Sequence, residues 1–236
     1  MGQLGIILLA SWLAGLAAFV GGVIARFDYS RETELKAEII HGVIAFGGGI
    51  LAAAVAFALA PEGIEYLEPM VLLIVFCAGG TLFCAIDSYL TRRGGNRAQF
   101  LAMLMDFIPE AISLGAVFKH NQQLGILLAV YIGAQNLPEG FNSFREIKKT
   151  GIKSGTTLTT LFAISFLGPM SAGAGYFFLQ SFPELTAGIM TFAAGGILYL
   201  IFQDISPKSK MQKHWVPPLG AVLGFAVGMI GKQLIG

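Results

Sequence analysis

The sequence predicts an all-α polytopic membrane protein with eight transmembrane helices, in a single domain that covers residues 1–236. Composition is the first reason, because 55% of the residues are hydrophobic and 12% are charged, about half the charged fraction of an average soluble domain. Length is the second reason. Apolar stretches of about 20 residues, which is the length that crosses a bilayer core, follow one another along nearly the whole chain.

The predicted spans leave little sequence between them, so no soluble domain is expected. Their approximate bounds are 4–25, 39–60, 69–90, 97–118, 124–144, 157–179, 184–205 and 215–234. The first is interpreted as a helix and not as a signal peptide. It has no basic region ahead of it, and its apolar run is longer than the roughly 7–15 residues of a signal sequence.

Basic residues concentrate in alternate loops of this topology. Thirteen of the fifteen Lys and Arg residues lie in the loops after spans 1, 3, 5 and 7, whereas Lys119 and Lys232 lie on the other side. The positive-inside rule places the basic loops in the cytoplasm. We therefore expect a multi-pass protein of the cell (inner) membrane with both termini extracytoplasmic. The outer loop near Glu62 is acidic and is expected to attract cations.

Acidic side chains interrupt the fourth and fifth predicted spans. Asp106 and Glu110 lie in the fourth and Glu139 in the fifth, whereas no Lys, Arg or His lies deep in any predicted span. A charge at the bilayer centre costs about 3 kcal/mol on insertion scales. These acids either stay neutral and bond to polar neighbours, or they meet a cation that comes from outside the chain. The second alternative makes a cation site the default hypothesis.

Helical spacing places further polar groups beside these acids. Asp106 and Glu110 are four residues apart and share one helix face, and Gln135 and Glu139 repeat that spacing. Asn136 lies three residues before Glu139. Polar residues then continue toward the cytoplasmic ends of spans 5 and 7 and form the expected exit pathway, with Glu62 at the entrance: Asn142, Ser143, Glu146, Gln203 and Asp204.

Two prolines directly precede the glutamates of the candidate site. Pro109 and Pro138 each remove a backbone N–H and free a carbonyl four residues earlier, at Met105 and Ala134. Free carbonyls at membrane depth are tolerated where they line a polar cavity. Broken helices are common beside a mid-membrane binding site, so an interruption is expected near each proline.

A short internal repeat relates the second and seventh spans. Residues 46–63 read FGGGILAAAVAFALAPEG and residues 192–209 read FAAGGILYLIFQDISPKS. Each begins with Phe, continues through small residues to Gly-Ile-Leu, and reaches Pro at the same distance. The two spans would run in opposite directions. Spans 1–3 and 6–8 are therefore predicted to form an inverted repeat around spans 4 and 5.

These repeats, together with FIPEA at 107–111 and NLPEG at 136–140, resemble the ZIP (Zrt/Irt-like) family of divalent-metal transporters. The likeness extends over nearly the whole chain and suggests a divergent prokaryotic-type member. It implies uptake of a zinc-, iron- or manganese-class cation into the cytoplasm by an elevator-like or alternating-access movement. The protein would then be a secondary transporter and not an enzyme, with no cofactor besides the transported metal ion.

The resemblance also implies a ligand set. Asp106, Glu110, Gln135 and Glu139 fall at the positions of the family's first metal site, where Asp106 replaces a usual His. The family's second site would use positions 107, 136 and 168 with the shared glutamates. Of these, Asn136 is retained, but Phe107 and Gly168 cannot supply ligands. One main metal site is therefore expected.

The ligand types leave the metal open. Oxygen ligands favour Mn²⁺, Mg²⁺, Ca²⁺ or Fe²⁺ more than a His or Cys site would, although Zn²⁺ also accepts carboxylates. Asp106 could instead carry a proton, because burial among other acids disfavours the charged carboxylate. The alternatives are a proton-coupled carrier of another cation and a ZIP-like protein that binds metal without transporting it. The expected partners are the cation and the lipid bilayer, with no nucleic acid and with a homodimer as the assembly considered.

Overall fold

A computed structural model describes residues 2–28, 33–93, 97–212 and 214–235, and within these ranges the chain is helical with no strand. Arg31 and Lys213, which contribute to the orientation prediction, lie outside the described residues. The side chains of residues 91, 93 and 97–102 lie outside them as well. The all-α prediction is confirmed for the part of the chain that is described.

The helices follow the predicted spans closely, with differences at their ends. Helices that continue into one another are joined here by short π-helical segments. In chain order the elements are α1 (Gln3–Phe27), α2 (Glu34–Ala54), π1 (Val55–Leu59), α3 (Ala60–Tyr66), α4 (Pro69–Arg93), α5 (Arg97–Val117), α6 (Gln122–Lys149), α7 (Ser154–Ser165), α8 (Leu167–Ala174), π2 (Gly175–Leu179), α9 (Pro183–Leu200), π3 (Ile201–Ile205), α10 (Ser206–Ser209) and α11 (Leu219–Ile235).

Several helical stretches are long and apolar enough to cross a membrane, as is typical of a membrane protein. Within the described ranges five satisfy both conditions: Gln3–Phe27, Glu34–Tyr66, Pro69–Leu90, Ser154–Leu179 and Pro183–Ser209. The shorter helix α11 is also apolar. Helix α6 is not among the five, because polar residues such as Gln135, Asn136 and Glu139 interrupt its apolar sequence. Helix α5 is also outside this group, and its first six side chains are not described.

Capping side chains explain two of the displaced helix ends. Helix α2 begins at Glu34, five residues before the predicted span, because the Thr33 hydroxyl accepts a hydrogen bond from the Lys36 N–H at 3.2 Å. Helix α6 begins after Asn121, whose Oδ1 accepts from the Leu124 N–H at 2.9 Å. The hydrophobic pattern does not report these first turns, since they are polar and extend beyond the apolar stretch.

The predicted interruptions at the prolines are wrong. Helices α5 and α6 run without a break through Pro109 and Pro138. The irregular turns lie instead at the π segments, which contain no proline and of which π3 includes Gln203 and Asp204, and at Phe166 between α7 and α8. A π turn adds a residue within a helix and is frequent at functional sites. Segments π1 and π3 begin at the same distance from Phe46 and Phe192, the residues that open the two copies of the sequence repeat.

The helices pack as two groups. The first bundle contains α1, α5, α6 and the α7–α8–π2 stretch, and the second contains the α2–π1–α3 stretch, α4, the α9–π3–α10 stretch and α11. Helices α2 and α9 of the second bundle face α6 and α5 of the first. The predicted site residues Asp106, Glu110 and Glu139 lie on the first bundle, so the contact between bundles positions the site.

Glycine-mediated crossings hold each bundle together. In the second bundle α2 crosses α11 and α9 crosses α4, with one glycine from each helix facing a carbonyl oxygen of the other. A Cβ built at Gly49 would lie 2.1 Å from the Ala221 oxygen, and one built at Gly224 would lie 2.1 Å from the Phe46 oxygen. A Cβ at Gly195 would lie 2.0 Å from the Phe76 oxygen, and one at Gly79 would lie 2.0 Å from the Phe192 oxygen. The two crossings therefore use equivalent residues of the sequence repeat.

The first bundle repeats this arrangement between α1 and α6 and between α5 and α8–π2. Between α1 and α6, a Cβ would lie 2.0 Å from the Leu137 oxygen at Gly21 and 2.0 Å from the Ala18 oxygen at Gly140. Between α5 and α8–π2, a Cβ would lie 2.0 Å from the Ile112 oxygen at Gly175 and 1.8 Å from the Ala172 oxygen at Gly115. Such close backbone approach is possible only because the residue that faces the carbonyl oxygen is a glycine and has no Cβ. All four of these crossings lie inside a bundle.

Charged side chains gather at one end of the molecule, here called the basic end. Asp28 pairs there with Lys36 at 2.9 Å and with Arg145 at 3.1 Å. His214, between α10 and α11, contacts Glu34 through Nε2 at 3.0 Å and Glu38 through Nδ1. These contacts attach the segment before α11 to the first two turns of α2.

This histidine makes the attachment dependent on pH. Hydrogen bonding to Glu38 raises the pKa of His214, so its stabilising effect is complete below its ordinary pKa of about 6.5 and is lost as pH rises through the raised value. We expect His214→Asn to lower the melting temperature by a few degrees at pH 6 and to have little effect at the alkaline end of a series to pH 8.5. Thermal unfolding in detergent measures the difference. The same substitution in a Glu34→Gln, Glu38→Gln background is the control, and an equal effect there would contradict the assignment.

Candidate functional site between the two bundles

A cavity of about 60 Å³ lies between the bundles. The first bundle contributes the side chains of Asp106, Gln135, Glu139 and Asn142, and the second contributes mainly apolar residues, Asp204 and Lys208. This volume admits a few waters or a partly hydrated cation. The short turn after α5 makes α5 and α6 antiparallel neighbours, so their polar faces meet at this cavity.

Glu110 lies directly beside the cavity-lining amide of Gln135. The Gln135 Nε2 donates to the Glu110 Oε2 at 2.6 Å, and both side chains are buried, with 1% and 0% of their surface exposed. The Asp106 Oδ1 accepts a hydrogen bond from the Phe107 N–H at 2.9 Å. Asp106, Glu110, Gln135 and Glu139, the four predicted ligands of the first site, are therefore brought to one place.

Two oxygens in this group have no hydrogen-bond partner. The Glu110 Oε1 and the Gln135 Oε1 are buried and accept no hydrogen bond from protein groups. Buried polar atoms are usually paired, and a carboxylate or carbonyl oxygen can be satisfied only by a donor or a cation. Within the described ranges, Asp106, Glu110 and Glu139 form no ion pair with a Lys, Arg or His.

The acids do not form a closed coordination shell in this conformation. Among the described residues, no three His, Cys, Asp or Glu side chains are arranged to hold a metal ion. A cation in the cavity would therefore need the carboxylates to move toward it, or would keep some of its water. The site supplies carboxyl groups and unpaired oxygen acceptors without a preformed cage.

Asn136 lies away from this group. Its Nδ2 donates to the Ala14 carbonyl of α1 at 3.0 Å, and its Oδ1 is buried without a partner. The ring of nearby Phe107 packs against two glycines. A Cβ built at Gly15 would lie 2.7 Å from the Phe107 Cζ, and one built at Gly168 would lie 3.0 Å from it. An aromatic ring thus lies against position 168, where a ligand of a second site was considered.

The predicted exit residues separate into two sets. Asn142 and Asp204 line the cavity, and Glu146 lines a pocket of about 230 Å³ at the basic end. The Asn142 Nδ2 donates to the Glu146 Oε1 at 3.3 Å. Ser143 is fully buried and Gln203 is exposed, and neither lines the cavity or this pocket.

Lys208 is a site residue that the sequence does not predict. Its Nζ lies 2.8 Å from the Asp204 Oδ1 and 3.2 Å from the Glu146 Oε1. Sequence position gave one usable signal, because Asp204 and Lys208 are four residues apart and neighbour each other if the helix continues. The sequence does not predict that the helix continues through π3 into α10, so it predicts a loop at Lys208.

A separate pocket lies at the opposite end of the molecule, here called the acidic end. It measures about 310 Å³ and is lined by Glu62, Glu65, His120 and Gln180, among others. The His120 Nε2 donates to the Gln180 carbonyl, which fixes the turn between α5 and α6 against the turn before α9. Glu62, the predicted entrance residue, therefore lies in an acidic pocket away from the cavity.

Comparison with known proteins does not assign the chain, since no protein-family model matches it and no curated protein sequence does.

Proposed function

We propose that this protein is a secondary transporter that moves a divalent metal cation across the membrane into the cytoplasm. The observation that carries the proposal is the group of three acids on α5 and α6. Asp106 and Glu139 line the cavity, and Gln135 holds Glu110 beside it. The Glu110 Oε1 and the Gln135 Oε1 are buried without partners, and no basic side chain of the described residues forms an ion pair with the three acids. A cation supplies the missing charge and the missing ligands together.

The ZIP resemblance is part of the same proposal. It rests on the Pro-Glu motifs of α5 and α6, and the convergence of Asp106, Glu110, Gln135 and Glu139 supports the placement of those motifs. In this assignment the carboxylates bind the ion and Gln135 positions Glu110. The cation enters past Glu62 and leaves past Asn142, Glu146 and Asp204.

We further propose eight membrane crossings with an inverted repeat around α5 and α6. Three features support the repeat. Segments π1 and π3 occupy equivalent positions, and the α2–α11 crossing uses the residues equivalent to those of the α9–α4 crossing. The packing of α1 on α6 likewise has a counterpart in the packing of α8–π2 on α5.

The two bundles are suited to alternating access. The four glycine crossings fix helices within each bundle, whereas the cavity with the acids lies between the bundles. Movement of one bundle past the other would expose the cavity to one end and then to the other. With the basic end in the cytoplasm, as the positive-inside rule requires, both termini are extracytoplasmic in the cell (inner) membrane.

One cation per chain is the stoichiometry that we propose. The Phe107 ring against Gly168 leaves the position of a second site without ligands, and Asn136 is bonded to α1. The remaining donors are oxygens, which suit Mn²⁺ and Fe²⁺ and are accepted by Zn²⁺.

Binding of metal to the purified protein tests the site itself. We expect titration with Mn²⁺, Fe²⁺ and Zn²⁺ to saturate at about one ion per chain for the metal that binds best. Glu110→Gln should weaken binding by at least about tenfold, because loss of outer partners alone costs 10–100-fold at metal sites. Glu184→Gln, at an exposed position on α9, is the matched control and should bind as the wild type does.

Two results separate the alternatives. Binding of two ions per chain would contradict the single site, and unchanged binding by Glu110→Gln would exclude it from coordination. A ZIP-like protein that only binds metal would pass this test and yet give no flux in proteoliposomes. A proton-coupled carrier of another cation would show no metal binding and no rise in melting temperature with metal.

A further inference from the structure

Lys208 connects the two bundles at the basic end. It belongs to α10 of the second bundle, and its ammonium contacts the carboxylate of Glu146 on α6 of the first bundle at 3.2 Å and 3.4 Å. The 2.8 Å contact with Asp204 stays within its own bundle. A relative movement of the bundles must therefore break the contact with Glu146 and can keep the contact with Asp204.

The same side chain lies at a junction of two spaces. The cavity that contains Asp106 and Glu139 and the basic-end pocket that contains Glu146 share three lining residues, Ile44, Asn142 and Lys208. A cation that leaves the cavity toward the basic end has to pass these residues. Lys208 is the charged member of the three, and its charge has the same sign as the cation.

The backbone of Lys208 is held in position as well. The His41 Nδ1 of α2 donates to the Lys208 carbonyl, and the Ser209 hydroxyl donates to the Ser206 carbonyl. The Lys208 side chain is about one third exposed, so its contacts are partly shielded from water. The ammonium is therefore held between the two carboxylates and does not swing freely in solvent.

We infer that Lys208 is a gate: its ammonium is a tethered cation that occupies the exit carboxylates, Glu146 and Asp204, and fastens the two bundles at the basic mouth. The inference rests on the proposed transport function for the identity of the ion that passes. A permeating divalent ion carries two positive charges, whereas the Lys208 ammonium carries one, so the ion can displace the ammonium from Glu146. Lys208 then stays with Asp204 as the bundles separate.

Thiol accessibility tests the gate without any transport. In a protein with Cys77 and Cys84 replaced by serine, Leu200→Cys places a reporter inside the cavity, where the side chain is 8% exposed. We expect Lys208→Met to raise the rate at which a small neutral methanethiosulfonate labels the Leu200→Cys thiol by about fivefold. This is the shift in the opening equilibrium expected when one partly exposed ion-pair network is lost. Lys208→Arg retains the charge and should label at the wild-type rate.

Controls separate opening of the gate from general loosening. Ile40→Cys reports on the basic-end pocket outside the gate, and its labelling rate should not depend on residue 208. If Lys208→Met does not fold, the double variant Asp204→Asn, Glu146→Gln opens the gate by another route. It should raise the labelling rate of the Leu200→Cys thiol by the same factor. Equal labelling of Leu200→Cys in the Lys, Met and Arg forms and in this double variant would overturn the inference. Faster labelling in a protein without divalent flux would leave the gate standing and remove the proposed function.

Discussion

Divalent cation uptake is expected to be lost when Glu139 is replaced with alanine. Glu139 lines the cavity with Asp106, and Glu110 is held next to them by Gln135. On the proposed function, these three carboxyl groups would stabilise an ion that has left water. Without Glu139 the remaining acids meet the same ion with one charge fewer. Uptake into proteoliposomes, measured for Mn²⁺, Fe²⁺ and Zn²⁺ in turn, should fall to the level of empty vesicles for every metal that the wild type transports.

The same variant should remain folded, which distinguishes loss of function from loss of protein. Removal of one acid from a group of three relieves repulsion between like charges, so the melting temperature is expected to stay the same or rise. Glu184→Ala, an exposed acid on α9, controls for general effects of charge removal and should transport as the wild type does. Wild-type flux through Glu139→Ala would exclude this residue from the pathway and would remove the main support for a cation route along α6.

Replacement of Gly195 with alanine is expected to have the largest effect on folding. The new methyl group would lie 2.0 Å from the Phe76 carbonyl oxygen, which belongs to the backbone of α4 and cannot rotate away. Overpacking costs about 1–3 kcal/mol, and more where a backbone has to shift. At about 2–4 °C per kcal/mol for a chain of this size, a cost of about 3 kcal/mol lowers the melting temperature by at least about 6 °C.

Gly188 provides a matched control in the same helix. No atom lies within 4 Å of a Cβ built at this position. Gly188→Ala should therefore be neutral or slightly stabilising, because alanine favours a helix over glycine by about 1 kcal/mol. Thermal unfolding in detergent, followed by the fluorescence of Trp12 and Trp215, measures both variants. Similar melting temperatures for the two would mean that α4 and α9 are not in backbone contact.

The elements that the sequence predicts well are those that depend on composition and length. Apolar stretches of membrane-spanning length predict the helices to within a few residues. Helical spacing pairs Asp106 with Glu110 and Gln135 with Glu139, and the ZIP resemblance implies that the two pairs form one site. Both signals act locally, so a single sequence contains them. The hydrophobic pattern could not indicate where α2 begins, because its first turn is polar and is capped by Thr33.

The sequence does not predict the continuous helices at the two prolines, the π turns or the role of Lys208. Pro109 and Pro138 were expected to interrupt their helices, but a proline removes one hydrogen bond while the neighbouring turns and tertiary packing retain the helix. The sequence also does not predict the π turns, since their residues show no common pattern: π1 and π2 contain no charged residue, whereas π3 contains Gln203 and Asp204. Lys208 was assigned to a loop, because its role depends on a carboxylate of α6 that lies 62 positions away along the chain.

The equivalent ends of the two sequence repeats carry opposite charges, and this makes the two entrances of the proposed pathway unequal. The residue after the repeat's proline is Glu62 at the acidic end and Lys208 at the basic end. A route with identical ends would conduct equally well both ways under equal gradients. Here an ion that arrives at the acidic end meets attraction, and one that arrives at the basic end meets repulsion. On the proposed function, entry of an ion from the acidic end would be faster than entry from the basic end at equal concentrations, while the gradient alone would set the direction of net transport.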